Sequence, residues 1–151
     1  MDKNEEQKLE ELCAKSFDLA RNNEIEPLII MLDAGLNVNI ANHKGNTLLM
    51  LAAYNNSLEV AKLLLERGAE VDKVNDKKQT PLAGVCFKGH YKMAELLLKF
   101  GADPDYDSGG LTPMNCALMF RRKEIVKLLL KYSKKKLNLM QKIMLFFNKV
   151  K

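Results

Sequence analysis

Residue identities repeat along this chain with one period. Thr47, Thr80 and Thr112 stand 33 and 32 residues apart, and Gly35, Gly68 and Gly101 recur at intervals of 33. A constant period of this length signals a stack of supersecondary units, each too small to bury its own apolar face and each completed by its neighbours. The period therefore limits the fold more tightly than any composition value.

Aligned on the threonines, the segments read NTLLMLAAYNNSLEVAKLLLERGAEVD, QTPLAGVCFKGHYKMAELLLKFGADPD and LTPMNCALMFRRKEIVKLLLKYS. In each, TLL, TPL or TPM opens one helix, a short connection follows, and an LLL element closes a second. This pattern resembles the ankyrin repeat. The resemblance implies an all-α solenoid of stacked helix-turn-helix units joined by hairpin loops. The boundaries expected are units at about 3–40, 41–73, 74–106 and 107–136, so that the repeat domain spans 1–136 and residues 137–151 form a C-terminal capping helix. One departure is that the histidine of the family's T-P-L-H signature is replaced by Met50, Ala83 and Asn115. Whatever that side chain ties together elsewhere must here be missing or replaced.

The spacing also predicts local structure. A first helix is expected over 3–22, with Leu9, Leu12, Cys13, Ser16, Phe17 and Ala20 on one face. Its partner runs from about Glu26 to Ala34, with Pro27 in the first turn and Gly35 as a left-handed stop. Each threonine can cap its inner helix, followed by Leu48, Pro81 or Pro113. The outer helices carry apolar stripes: Val60, Ala61, Leu64 and Leu65; Met93, Ala94, Leu97 and Leu98; Ile125, Val126, Leu129 and Leu130. Gly45 belongs in a hairpin turn, and Lys78 takes its place in the next unit, either in a different turn or at a positive φ. Gly109 and Gly110 occupy the last hairpin, where Tyr106 alone separates Asp105 from Asp107; this one-residue deletion accounts for the interval of 32.

After Tyr132 the pattern fails, because Ser133 stands in place of the closing glycine. The tail can form an amphipathic helix with Leu139, Met140, Ile143, Met144, Phe146, Phe147 and Val150 on one broad face, and with Asn138, Gln141, Lys142 and Lys149 away from it. It is read first as a cap over the last repeat, and otherwise as a basic segment for an anionic membrane surface. Charge supports the second idea: residues 121–151 carry eleven Lys/Arg against one Asp/Glu, whereas residues 1–26 carry four against eight. Nucleic acid is not an expected partner, because the lysines are not interleaved with aromatics along a groove.

No apolar run reaches the ~20 residues of a spanning helix, and no signal-like core opens the sequence, so cytoplasmic residence is expected. Cys13, Cys86 and Cys116 are unclustered and read as reduced thiols. His43 and His90 lack a third ligand at metal-binding spacing. Asp103 and Asp105 sit in a hairpin, where a structural role is expected. No nucleophile elbow, phosphate loop or dinucleotide fingerprint occurs, so an enzyme is not expected.

The ankyrin resemblance implies that the two positions following the paired small residues of each inner helix point into a concave face. These are Arg21 and Asn22, Tyr54 and Asn55, Phe87 and Lys88, and Met119 and Phe120. Tyr54, Phe87 and Met119 would form an apolar ladder suited to a protein partner, presented by a chain expected to be monomeric. The segments LMLAAYNNS and TPLAGVCFKGH are also similar to small bacterial ankyrin proteins associated with catalase and haem handling. That resemblance implies a second possibility: haem as cofactor with Tyr54 as axial ligand, and catalase as the partner.

Overall fold

The computed structural model describes residues 1–149, and the expected place of Val150 on the tail helix lies outside them. Among the described residues the secondary structure is helical apart from one isolated bridge between Ala41 and Thr47. This is an all-α helical-repeat solenoid. The chain divides into two compact units, residues 1–70 and 71–151.

The first unit holds α1 (Lys3–Arg21), α2 (Ile25–Asp33), α3 (Leu48–Tyr54) and α4 (Leu58–Glu66). α1 packs on α2 and α3, and α4 packs on α2 and α3. Asp2 and Glu5 form a reciprocal capping box at the start of α1. The expected inward face of this helix is only half correct. Ser16, Phe17 and Ala20 are buried, as is Leu19, whereas Leu9 and Leu12 are each 51% exposed. With 19 residues, α1 is ~28 Å long and its neighbour α3, with seven, only ~10 Å, so the first turns of α1 have nothing to pack against. Leu28, Leu48, Leu49 and Leu64 complete the unit's core.

The second unit contains α5 (Pro81–Lys88), α6 (Tyr91–Lys99), α7 (Pro113–Met119), α8 (Lys123–Tyr132) and α9 (Leu139–Lys149). α5 packs on α6 and α7, α6 on α8, and α7 on α8 and α9. Leu82, Met93, Leu97, Met114, Leu118 and Leu129 are fully or almost fully buried. The stripes of α4 and α6 are buried throughout, but on α8 the expected Leu130 is 40% exposed and lines a groove beside α9.

Equivalent positions repeat equivalent solutions. Thr47, Thr80 and Thr112 each accept a hydrogen bond at 3.1 Å from the amide three residues on, at Met50, Ala83 and Asn115. Asn42 accepts from the amides of Lys44 and Asn46, and Asn75 from those of Lys77 and Gln79, all at 3.0 Å. These Asx turns set the third residue after the asparagine in the left-handed region: Gly45 at φ 73° and Lys78 at φ 58°. Lys78 thus keeps the glycine's turn and accepts the strain. Lys78→Gly is expected to raise the unfolding free energy by about 0.5–1 kcal/mol, read from urea denaturation, since the lysine's Cβ is what penalises this conformation. Gly110 is required for a different reason: a Cβ there would lie 2.9 Å from the carbonyl oxygen of Lys78.

The missing signature histidine is replaced in two ways. Met50 and Ala83 are simply buried, while the Asn115 Oδ1 accepts from Gln141 Nε2 at 2.7 Å. Hairpins are joined instead by polar side chains reaching the next unit of the pattern. The Asn39 Oδ1 accepts the Glu70 amide at 2.9 Å, and Asp72 accepts the Asp103 amide at 3.1 Å. Asp105 accepts the Ser133 hydroxyl at 2.8 Å with both oxygens. Ser133 leaves α8 in extended conformation after its amide donates to the Leu129 carbonyl at 2.8 Å, so the helix ends without the left-handed turn of a glycine.

Candidate functional site

The candidate contact residues lie at the C-terminal ends of the inner helices because the capping threonine fixes where each helix starts and a left-handed residue fixes where it stops. Asn23, Asn56 and Arg121 take φ values of 58°, 57° and 54°, and Gly89 takes 84°. The side chains just before these turns therefore point past the last buried turn.

In the first unit these are Arg21, Asn22, Tyr54 and Asn55. Tyr54 ends α3 and is 37% exposed, with polar neighbours at the equivalent positions: Asn22 is exposed and Arg21 pairs with Asp18 at 2.8 Å. The Asn55 amide side chain donates to the Leu51 carbonyl at 2.8 Å.

In the second unit Phe87, Lys88, Met119 and Phe120 stand at the ends of α5 and α7, which pack together. Phe87 and Phe120 meet edge to face, with ring centroids 4.6 Å apart and planes at 86°. This is a favoured aromatic geometry. Neither ring is sealed: Phe87 is 36% and Phe120 40% exposed, and Met119 beside them is 52% exposed. Spacing suggested a ladder of Tyr54, Phe87 and Met119; the structure instead pairs Phe87 with Phe120, the second residue of the last pair, in one aromatic platform.

A second set of residues, unremarked in the sequence, anchors the platform. Arg122 donates from Nε at 3.2 Å and Nη2 at 2.8 Å to the Phe87 carbonyl in the last turn of α5. In the first unit Ser57, at the equivalent position, donates its hydroxyl to the Arg21 carbonyl at 2.9 Å. The guanidinium fits because Gly89 has no Cβ; one placed there would meet Arg122 Nε at 2.9 Å. Equivalent placement of residues 57 and 122 before the outer helices was the available signal, but serine and arginine share no obvious chemistry.

Nothing in the titratable groups points to catalysis. Burial pushes the Cys86 thiol far up, with Cys116 adding to the effect, and burial also raises Cys116. Both thiols are held protonated and away from nucleophilic use. Burial raises the Asp72 carboxyl too, opposed by the bond it accepts from the Asp103 amide. Asp103 in turn accepts the Asp105 amide at 2.9 Å, so these carboxylates do serve hairpin geometry. Among the described residues no group of three or more His, Cys, Asp or Glu is placed to hold a metal ion, and His43 is exposed on its hairpin.

The tail helix departs most from expectation. α9 does pack on α7, but by the wrong stripe: Gln141, Met144, Leu145 and Asn148 face inward, while Leu139, Met140, Ile143, Phe146 and Phe147 are 42–75% exposed. Of the face expected to be apolar and inward, only Met144 among the described residues is half-buried. The reason is polar. Asn148 donates to the Leu118 carbonyl at 3.2 Å, which also accepts the Arg121 amide, and Gln141 donates to the Asn115 Oδ1 at 2.7 Å; the Asn148 Oδ1 is itself buried without a partner. Beside this contact a groove of about 410 Å³ lies between α8 and α9, floored by Val126, Leu130, Leu145 and Asn148 and rimmed by Lys123, Lys127 and Lys149.

Comparison with known families agrees with the repeating caps, hairpins and helix pairs. Residues 68–141 match the model for ankyrin repeats in three copies, and residues 44–76 match that for a single ankyrin repeat. The chain is an ankyrin-repeat protein. Over 45 residues it is also 47% identical to a protein of Pseudomonas aeruginosa described as an ankyrin repeat protein, a segment covering 30% of this chain and 26% of that relative. The chain thus spans about a quarter of the length of the curated relative it matches. Ankyrin repeats are in general protein-interaction scaffolds and typically non-enzymatic. No helix among the described residues is long and apolar enough to cross a membrane.

Proposed function

We propose that this ankyrin-repeat protein binds a protein partner through the side chains ending its inner helices, with Tyr54 and Asn55 contributed by the first unit and Phe87, Lys88, Met119 and Phe120 by the second. The observation carrying this reading is the half-open platform of Phe87, Met119 and Phe120. Large apolar side chains grouped at the surface mark contact sites, and aromatic anchors dominate binding energy. Because rigid helix pairs hold these groups before the partner arrives, little ordering cost is added on association.

The test is affinity capture with the wild type, a Tyr54/Phe87/Met119 triple alanine variant and a Lys62→Ala control on the exposed side of α4. A specific partner should be retained by wild type and control, with affinity falling ~10–100-fold in the triple variant while its thermal unfolding stays close to wild type. Equal retention by all three would overturn the assignment. Absorbance of purified wild type and of a single Tyr54→Ala variant addresses haem: a Soret band lost in Tyr54→Ala would favour haem binding, and one unchanged in that variant would end the role of Tyr54 as ligand.

A further inference from the structure

We propose that the outward face of α9 docks on an anionic lipid surface. Leu139, Met140, Ile143, Phe146 and Phe147 follow one another at i, i+1, i+4, i+7 and i+8, an arc of ~120° on a helix. The opposite stripe is committed to α7 by Gln141 and Asn148, so the apolar arc cannot turn inward without breaking those bonds. Phe146 and Phe147 are 63% and 60% exposed, with ring centroids 5.9 Å apart in an edge arrangement. A packed pair of phenylalanines left in water is unfavourable unless another apolar medium receives it.

Charge selects the medium. Lys142 and Lys149 border the apolar arc on the helix, and the exposed Lys131, Lys134, Lys135 and Lys136 lead into it. Glu124 is the single acidic residue from 121 to 151, and it pairs with Lys127 at 3.1 Å. A second copy of this face would set lysine against lysine. An anionic bilayer instead accepts the rings between its headgroups and places phosphates and carboxylates beside the ammonium groups, the arrangement used by interfacial amphipathic helices.

Co-sedimentation of the full chain with vesicles tests the idea, comparing phosphatidylcholine alone with phosphatidylcholine containing about 30% phosphatidylserine, at roughly 50 mM and 500 mM salt. Binding is expected to the anionic vesicles at low salt only. Phe146→Ala with Phe147→Ala should weaken partitioning by ~10-fold or more. Alanine at Lys134, Lys135 and Lys136 should weaken it by a comparable factor and flatten its salt dependence. Absence of binding to anionic vesicles at low salt would overturn the proposal, as would binding that the double phenylalanine variant leaves unchanged. A wild-type dimer in analytical ultracentrifugation that this variant converts to monomer would also overturn it, assigning the face to a second copy.

Discussion

Leu97→Ala is expected to lower the unfolding free energy by about 3–5 kcal/mol, the upper range for deleting a fully enclosed leucine side chain. Leu97 has no exposed surface and sits mid-stripe on α6 between Met93, Ala94 and Leu98, all buried. Its carbonyl also receives the Ala102 amide at 3.0 Å, which ties the end of α6 to the hairpin beyond, so little local collapse can fill the cavity. Against a total stability of order 5–15 kcal/mol, this single change should bring the second unit near its limit. Urea denaturation followed by circular dichroism measures it. In a repeat protein the loss is felt first by the unit that contains it, so a separate early transition is the expected form. A loss below about 1 kcal/mol would mean that the α6 stripe is not closely packed.

Removing residues 137–151 is expected to cost about 2–4 kcal/mol, from two hydrogen bonds at roughly 1 kcal/mol each and the partial burial of Met144 and Leu145 at a similar amount. The bonds lost are those of Gln141 to Asn115 and Asn148 to Leu118, and their loss leaves one flank of α7 uncovered. The informative comparison is with Phe146→Ala plus Phe147→Ala. Those rings face water, so the double variant should unfold within about 0.5 kcal/mol of wild type while the truncation does not. Equal stability of truncated and full-length chains would show that the inward stripe of α9 contributes nothing.

The repeat architecture was legible because its determinants are local and recur. A threonine three residues before the amide it caps, a glycine closing α2, α4 and α6, and apolar residues at three- and four-residue steps specify helix pairs wherever they occur. The Asx turns were less visible, although Asn42, Asn75 and Asp107 stand at intervals of 33 and 32. Lys78 posed a choice between two turns, and the asparagine bonds decided it in favour of strain.

Other features depended on what lies opposite. Leu9, Leu12 and Leu130 carry the periodicity of core residues, yet core position requires a neighbour long enough or close enough to cover them. The pairing of Phe87 with Phe120 was hidden because these residues are 33 apart and meet only when α5 and α7 pack.

By itself the sequence determined the period, the caps, the stops and the composition of each helix face, since these arise from backbone geometry within a few residues. Only the tertiary structure decided which face of α9 turns inward. Here the bonds of Gln141 to Asn115 and of Asn148 to the Leu118 carbonyl, with half-buried Met144 and Leu145 between them, hold the other stripe against α7 and leave Phe146 and Phe147 at the surface.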